Sequence, residues 1–213
     1  ALVVLGGLRE GQRVLIHAAA GGVGTAATQI ARDAGAEIFG TASAAKHEAI
    51  RAQGVDHAID YRSGDFEVAI NELTAGEGVD LIIDATGPTA FRKDYRLLRE
   101  GGRLIMFGVS ELEGSRGFLS PSGIEALLKM PFATAPWWKS LAMIGENKTV
   151  GGLNLLDWWK REGLDRLSGL MFEYLERDTI DPVVSEEFSF EQAPAAHRFI
   201  EERRNIGKVL LTP

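Results

Sequence analysis

One stretch limits what this chain can fold into more than any other: Ala18-Ala19-Ala20-Gly21-Gly22-Val23-Gly24. It follows the short apolar run Arg13-Val14-Leu15-Ile16-His17 and opens a helical run from Thr25 to Ala34, which Gly35 ends. A strand, a turn of small residues and a helix in that order form the start of a dinucleotide-binding βαβ unit. In the spacing G-x-G-x-x-G, Ala19 takes the first position, Gly21 the second and Gly24 the third. Smallness is what the chemistry requires. The backbone must turn sharply, approach a pyrophosphate closely and let the helix pack on the strand. Free N–H groups at the helix start then face the anion, aided by the helix dipole. A packing turn without a ligand would use the same residues.

The remaining elements alternate, which predicts an α/β fold with a doubly wound, mainly parallel Rossmann sheet. Residues 36–40 read as the second strand and 44–53 as a helix stopped by Gly54. Residues 58–61 form the third strand and 65–73 a helix. Val79-Asp80-Leu81-Ile82-Ile83-Asp84 is nearly continuous in apolar residues, as a strand covered on both faces should be. A helix over 89–99, ended by Gly101 and Gly102, leads to a fifth strand at 103–107. Helices are expected at 122–130, 136–145 and 155–177, with a sixth strand at 150–153. The tail reads as a strand (182–190), a helix (191–203) and a strand (208–211). With 213 residues there is room for one such domain and part of another. Three pieces follow: 1–10 as the end of an interdomain helix, 11–180 as the nucleotide-binding domain, and 181–213 as a C-terminal segment.

The end of the second strand selects the cofactor. An NAD enzyme usually carries an acid about 20 residues after the first glycine position, to bind both ribose hydroxyls. Here that count reaches Phe39 and Gly40, and the first acid afterwards is Glu48. Without a carboxylate nothing repels a 2′-phosphate, while Thr41, Ser43 and Lys46 offer hydroxyls and a cation. NADP(H) is therefore expected over NAD(H). In any other setting Lys46 would be a solvated lysine of a helix's first turn.

Composition removes other classes. The net charge is −7, from 23 Lys and Arg against 30 Asp and Glu, which disfavours nucleic acid and anionic membranes as partners. No cysteine is present, so disulfides, thiolate zinc sites and cysteine catalysis are excluded within these residues. No apolar run reaches the roughly 18 residues of a membrane span, and no secretory leader is visible, so a cytoplasmic location is expected. His47, His57 and His197 lack metal-ligand spacing, and no metal is expected. His17 reads as a packed or hydrogen-bonded residue, Asp84 as structural with helix capping or a ribose contact as alternatives, and no catalytic residue is assigned. The pairs Trp137-Trp138 and Trp158-Trp159 read as core or interface packing, and Glu201-Glu202-Arg203-Arg204 as a solvated helix end.

Four motifs together carry a family resemblance: residues 19–24 (AAGGVG), Gly40-Thr41-Ala42-Ser43 with Lys46, Asp60-Tyr61-Arg62, and Asn205 with Gly207-Lys208-Val209-Leu210-Leu211. The chain resembles the zinc-independent, zeta-crystallin-type quinone oxidoreductases of the medium-chain dehydrogenase/reductase superfamily. Residues 39–49 and the insert with Trp137-Trp138 look closest to the vesicle amine transport protein-like branch. The resemblance covers the whole chain. It implies that Gly21, Gly22, Val23 and Gly24 hold the pyrophosphate and that Ser43 and Lys46 hold the 2′-phosphate. Tyr61 would lie near that phosphate or the adenine, or else be a strand-edge aromatic. Phe107, Gly108 and Val109, with Val150, Gly151 and Gly152, would approach the nicotinamide. Asn205 would touch the cofactor or simply shape a turn. The resemblance further implies a GroES-like catalytic domain, absent from this sequence, to which 181–213 returns, and a homodimer joined through the sixth strands. The implied activity is hydride transfer from NADPH to a quinone or enone. A non-enzymatic NADPH-binding regulatory protein and an enoyl reductase module of a multifunctional synthase are the alternatives.

Overall fold

In the computed structural model, residues 1–108, 140–155, 157, 160 and 164–213 are described. Six strands form one parallel sheet: β1 (Arg13–Ile16), β2 (Glu37–Ala42), β3 (His57–Asp60), β4 (Val79–Asp84), β5 (Leu98–Met106) and β6 (Thr149–Gly152). Their spatial order is β3-β2-β1-β4-β5-β6. The order reverses between β1 and β4, and in open α/β sheets that switch point opens a crevice beyond the strands' carboxyl ends. The helices are α1 (Gly22–Asp33), α2 (His47–Gln53), α3 (Phe66–Leu73), α4 (Pro88–Leu97), α5 (Ser140–Glu146) and α6 (Leu164–Glu176).

The strands read as uninterrupted apolar runs because both faces are covered. Successive strand residues point to opposite faces, and the core divides accordingly. Val14, Ile16, Ile38, Leu81, Ile83 and Ile105 pack with Ala27 and Ala31 of α1 and Ile50 of α2. Leu15, Phe39, Ile82 and Leu104 pack on the other face with Ile70 of α3 and Leu97 of α4. Gly54, at φ 112, caps α2 in the left-handed region that a β-carbon disfavours.

Several local expectations are corrected. The helix expected over 89–99 stops at Leu97, and β5 begins at once. Gly101 and Gly102 do not end the helix. They lie inside β5, where the pairing with β4 jumps from Val79↔Leu98 to Leu81↔Arg103, and Gly101 has φ 76. The helix expected over 44–53 is split into a 3-10 turn, Ala44–Lys46, and α2, because Lys46 sits at φ −107 and ψ 0. Residues 2–6 form turns rather than a regular helix, closed by Gly6 N–H on Ala1 O and Gly7 N–H on Val3 O.

The tail forms β7 (Val184–Ser189), a 3-10 turn (Phe190–Gln192), α7 (Ala193–Glu201) and β8 (Lys208–Thr212). β7 and β8 pair in parallel as a separate two-stranded sheet. Exposed apolar residues of this tail include Val184, Leu210 and Leu211 of the sheet, Phe190 of the 3-10 turn and Ile200 of α7. The segment is tied to the main domain by Gly207 N–H on Ala20 O at 2.8 Å. The helix expected at 122–130, most of that at 136–145, and both tryptophan pairs lie outside the described residues.

Candidate functional site

The Gly-rich turn sits at the carboxyl end of β1, beside the switch point. Gly21 caps α1 without a side-chain hydrogen bond, and no acidic residue stands in the first turn. Nothing anionic there competes for the helix's N-terminal N–H groups. Gly24 fulfils the packing role expected of it. A β-carbon there would lie 2.6 Å from Ala19 Cα, and closer still to the Ala18 carbonyl oxygen. The aliphatic stem of Lys208 crosses over Gly22, so the tail delivers a lysine to the same loop.

A cleft of about 1160 Å³ opens from this loop toward the ends of β2 and β3. It gathers Gly21, Ser43, Lys46, Tyr61 and Asn205, five of the residues singled out from the sequence. It also contains Arg62 and Arg203, which sequence reasoning did not assign to a site. Burial pushes the Tyr61 phenol up, but hydrogen bonds from Arg62 and Arg203 outweigh it and hold the group below its usual range. Burial lowers Lys46, opposed by Tyr61 and reinforced by Arg62 and Arg203. The ammonium of Lys46 donates to the Asn205 carbonyl at 2.6 Å. Arg203 is exposed just past the end of α7, as expected of a solvated helix end, and at φ 55 it also lines the cleft. The only sequence signal for Arg62 was its place beside Tyr61.

Asn205 does two things. Its carbonyl holds Lys46 while its side-chain amide donates to Gly207 O at 2.9 Å, shaping the turn into β8. Phe107 and Gly108 follow β5, and the Phe107 N–H binds Asp84 O at 2.9 Å. Val150, Gly151 and Gly152 lie in β6, where Gly151 pairs with Ile105 and Gly152 with Met106. These five residues are on the β5–β6 side of the switch point and do not line the cleft described above. Val109 lies outside the described residues.

His17 has a richer environment than its place in the sequence suggested. Its Nε2 pairs with Asp94 Oδ1 at 2.9 Å, and its Nδ1 meets Thr41 Oγ1 at 3.2 Å. Thr41 Oγ1 also accepts the Ala18 N–H at 3.2 Å. With Nε2–H donating to Asp94, the neutral ring accepts the Thr41 hydroxyl proton at Nδ1. A relay thus runs from α4 to Ala18, whose φ of 51 is uncommon for a residue with a β-carbon. Asp84, buried at the end of β4, accepts from the Thr86 N–H and hydroxyl, each at 2.6 Å.

Sheet order, phosphate turn and cleft together define a Rossmann-type dinucleotide-binding domain. Residues 53–211 match the family described as zinc-binding dehydrogenase. The chain belongs to this family and forms the Rossmann-like NAD(P)-binding portion of the medium-chain dehydrogenase/reductase fold. It is 35% identical over 216 residues to the synaptic vesicle membrane protein VAT-1 homolog of Danio rerio, covering 97% of this chain and 42% of that protein. It is 37% identical over 218 residues to the spectinabilin polyketide synthase system protein NorB of Streptomyces orinoci, covering 99% of this chain and 9% of that one. Among solved structures, the JamJ enoyl reductase (apo form) superimposes with a TM-score of 0.77 at 29% identity, over 99% of this chain and 57% of that one. The chain therefore spans half or less of these curated relatives. Among the described residues no helix is long and apolar enough to cross a membrane.

Proposed function

We propose that this chain is the NADPH-binding part of a reductase that delivers hydride to a conjugated carbonyl compound, a quinone or an enone. The observation that carries the reading is the cluster of Lys46, Arg62, Arg203 and the Tyr61 phenol at the end of β2 and β3, where an NAD enzyme would place a carboxylate. Planar guanidinium groups suit a phosphate dianion because they bind two oxygens at once. Ser43 adds a hydroxyl at the same edge. The phosphate turn then takes the pyrophosphate, and Phe107, Gly108 and β6 line the nicotinamide half.

The bound cofactor supplies the hydride, which goes to the carbon β to the acceptor carbonyl, while a proton reaches the α carbon or the carbonyl oxygen. In this reading the chain binds and orients the nucleotide, the proton comes from solvent or from another part of the protein, and residues 181–213 pack on a catalytic domain. Among the described residues β6 is an edge strand of the sheet, and a strand edge invites pairing. The reading includes a homodimer joined there, in the cytoplasm. The match to a short segment of a polyketide synthase protein favours one variant of this function: an enoyl reductase module acting on an enoyl thioester.

Titration with NADPH and NADH, followed by nicotinamide fluorescence, tests the cofactor assignment. NADPH is expected to bind at least ~10-fold more tightly. Arg203→Ala and Lys46→Ala are each expected to weaken NADPH by about 10-fold, as loss of a charged hydrogen bond worth about 1.5–3 kcal/mol would, and to leave NADH unchanged. Equal binding of the two nucleotides would overturn the phosphate assignment. Turnover by the full-length protein of a quinone against an enoyl thioester separates the two acceptors.

A further inference from the structure

Beneath the cleft floor lies a group of side chains that nucleotide binding does not use. His17, Asp84 and Asp94 come from β1's end, β4 and α4, and all three are buried. Each offers one donor atom, and the three atoms lie within 4.8 Å of one another. Both aspartates have zero exposure. Each has one oxygen engaged, Asp84 Oδ1 by Thr86 and Asp94 Oδ1 by His17. The second oxygen of each, Oδ2, is buried with no hydrogen-bond partner, and a carboxylate oxygen of one lies within 4.8 Å of one of the other.

Two carboxylates side by side in a dry site need a positive species between them, because each uncompensated buried charge costs several kcal/mol. One proton or one metal ion satisfies that need. The donor set separates them. A proton between the carboxyls needs only those two groups, whereas here His17 Nε2, on release of the proton it donates to Asp94, completes a third corner. Zinc held tetrahedrally at about 2.0–2.2 Å from nitrogen and oxygen donors places neighbouring donors roughly 3.4 Å apart, so the His17–Asp94 pair, 2.9 Å apart, would open by about half an ångström around an ion. The pair of short bonds from Thr86 fixes the orientation of the Asp84 carboxyl group. His17 and Thr86 also line the cleft, which gives an ion its way in.

We propose that His17, Asp84 and Asp94 take up one divalent first-row cation, of the class of Zn²⁺ or Mn²⁺, bound by one nitrogen and two carboxylate oxygens. An imidazole with two carboxylates suits these ions better than Mg²⁺ or Ca²⁺, which prefer all-oxygen sets. The ion would neutralise both aspartates and pin β1, β4 and α4 together. It would also place positive charge under a cleft shaped for an anionic nucleotide. The site is made from the dinucleotide domain's own strands and stands whether or not the cofactor assignment above holds.

Calorimetric titration of the chelator-treated chain with ZnCl₂ and with MnCl₂, without nucleotide, tests it. One ion per chain is expected, with a rise in melting temperature of about 5 °C or more at a hundredfold excess over Kd. Asp84→Asn and Asp94→Asn are each expected to abolish uptake while retaining a cooperative melt. If a variant does not fold, X-ray absorption or Mn²⁺ paramagnetic resonance on the unmodified chain still decides, since one nitrogen must appear among the ligands. No stoichiometric uptake would overturn the proposal and leave a shared proton between the aspartates. Uptake undiminished in both folded variants would assign the ion to surface histidines and overturn it equally.

Discussion

Single side chains set the shape of the phosphate turn. Gly24 is packed so closely on Ala18 and Ala19 that one added methyl meets backbone, which cannot yield as a flexible side chain could. Gly24→Ala is expected to lose about 1–3 kcal/mol, the usual range for overpacking, together with nucleotide binding. Urea unfolding and NADPH titration check the two losses separately. Thr41 is the second such residue. It is buried and its hydroxyl serves both the Ala18 N–H and His17. Thr41→Val leaves both groups without that partner and is expected to destabilise by about 1–3 kcal/mol. Thr41→Ser keeps the hydroxyl and is expected to recover most of that loss, a difference readable in the midpoint of urea unfolding.

Among the elements, α3 and α4 are held together by charges that cross between them. Asp65 caps α3 through the Glu67 N–H at 3.0 Å and accepts from Lys93 of α4 at 2.8 Å. Glu67 receives both arms of Arg96, at 2.6 and 2.7 Å. The Lys93 bond, with the Glu67 amide, holds Asp65 below the usual carboxylate range, and Arg96 does the same for Glu67. A carboxylate depressed on folding adds stability that is present above its unfolded pKa of about 4 and is lost as pH falls through the folded value. Asp65 keeps 42% of its side chain exposed, so solvent screening limits the charge contribution to under ~1 kcal/mol. Asp65→Asn retains a capping side chain. It is expected to be less stable than the parent by a few tenths to ~1 kcal/mol at pH 7, with the gap closing below pH 4. Denaturation at pH 7 and pH 3 tests the sign. One boundary that sequence reading misplaced has a tertiary cause. Gly101 and Gly102 look like a helix stop, but the irregular pairing of β4 with β5 takes them into the strand.

At the scale of the whole molecule, core and cleft draw on different parts of the chain. Among the described residues beyond Asp181, only Ala196 contributes an apolar side chain to the buried core. The same segment supplies Arg203 and Asn205 to the cleft and lays Lys208 over the phosphate turn. A chain ending at Asp181 is therefore expected to keep one cooperative unfolding transition, with its melting temperature lowered by only a few degrees, about the effect of 1–2 kcal/mol. Its NADPH affinity is expected to fall by at least ~10-fold, as loss of a charged contact would imply. Differential scanning calorimetry beside nucleotide titration measures both, and a large drop in stability with affinity intact would contradict this division.

The sequence by itself determined the class of fold and the position of the Gly-rich turn between β1 and α1, because both follow from local chemistry. Small residues between an apolar strand and a helix, and strands apolar enough to be covered twice, can be read without knowing what packs where. It also singled out Ser43, Lys46 and Tyr61, which the structure gathers at one edge of the cleft, since they lie within a few residues of strand ends. Only the tertiary structure brought Arg203 to that edge and Lys208 over Gly22, in each case across well over a hundred residues of chain. It alone set Asp94 against His17 and Asp84, partners separated by 77 residues in one case. Nothing in the pattern around Asp94 marks it, because a charged residue on an amphipathic helix ordinarily faces water. Its burial is decided by which face α4 turns to the sheet, and that choice is made by the packing of Leu97 into the core rather than by Asp94 itself.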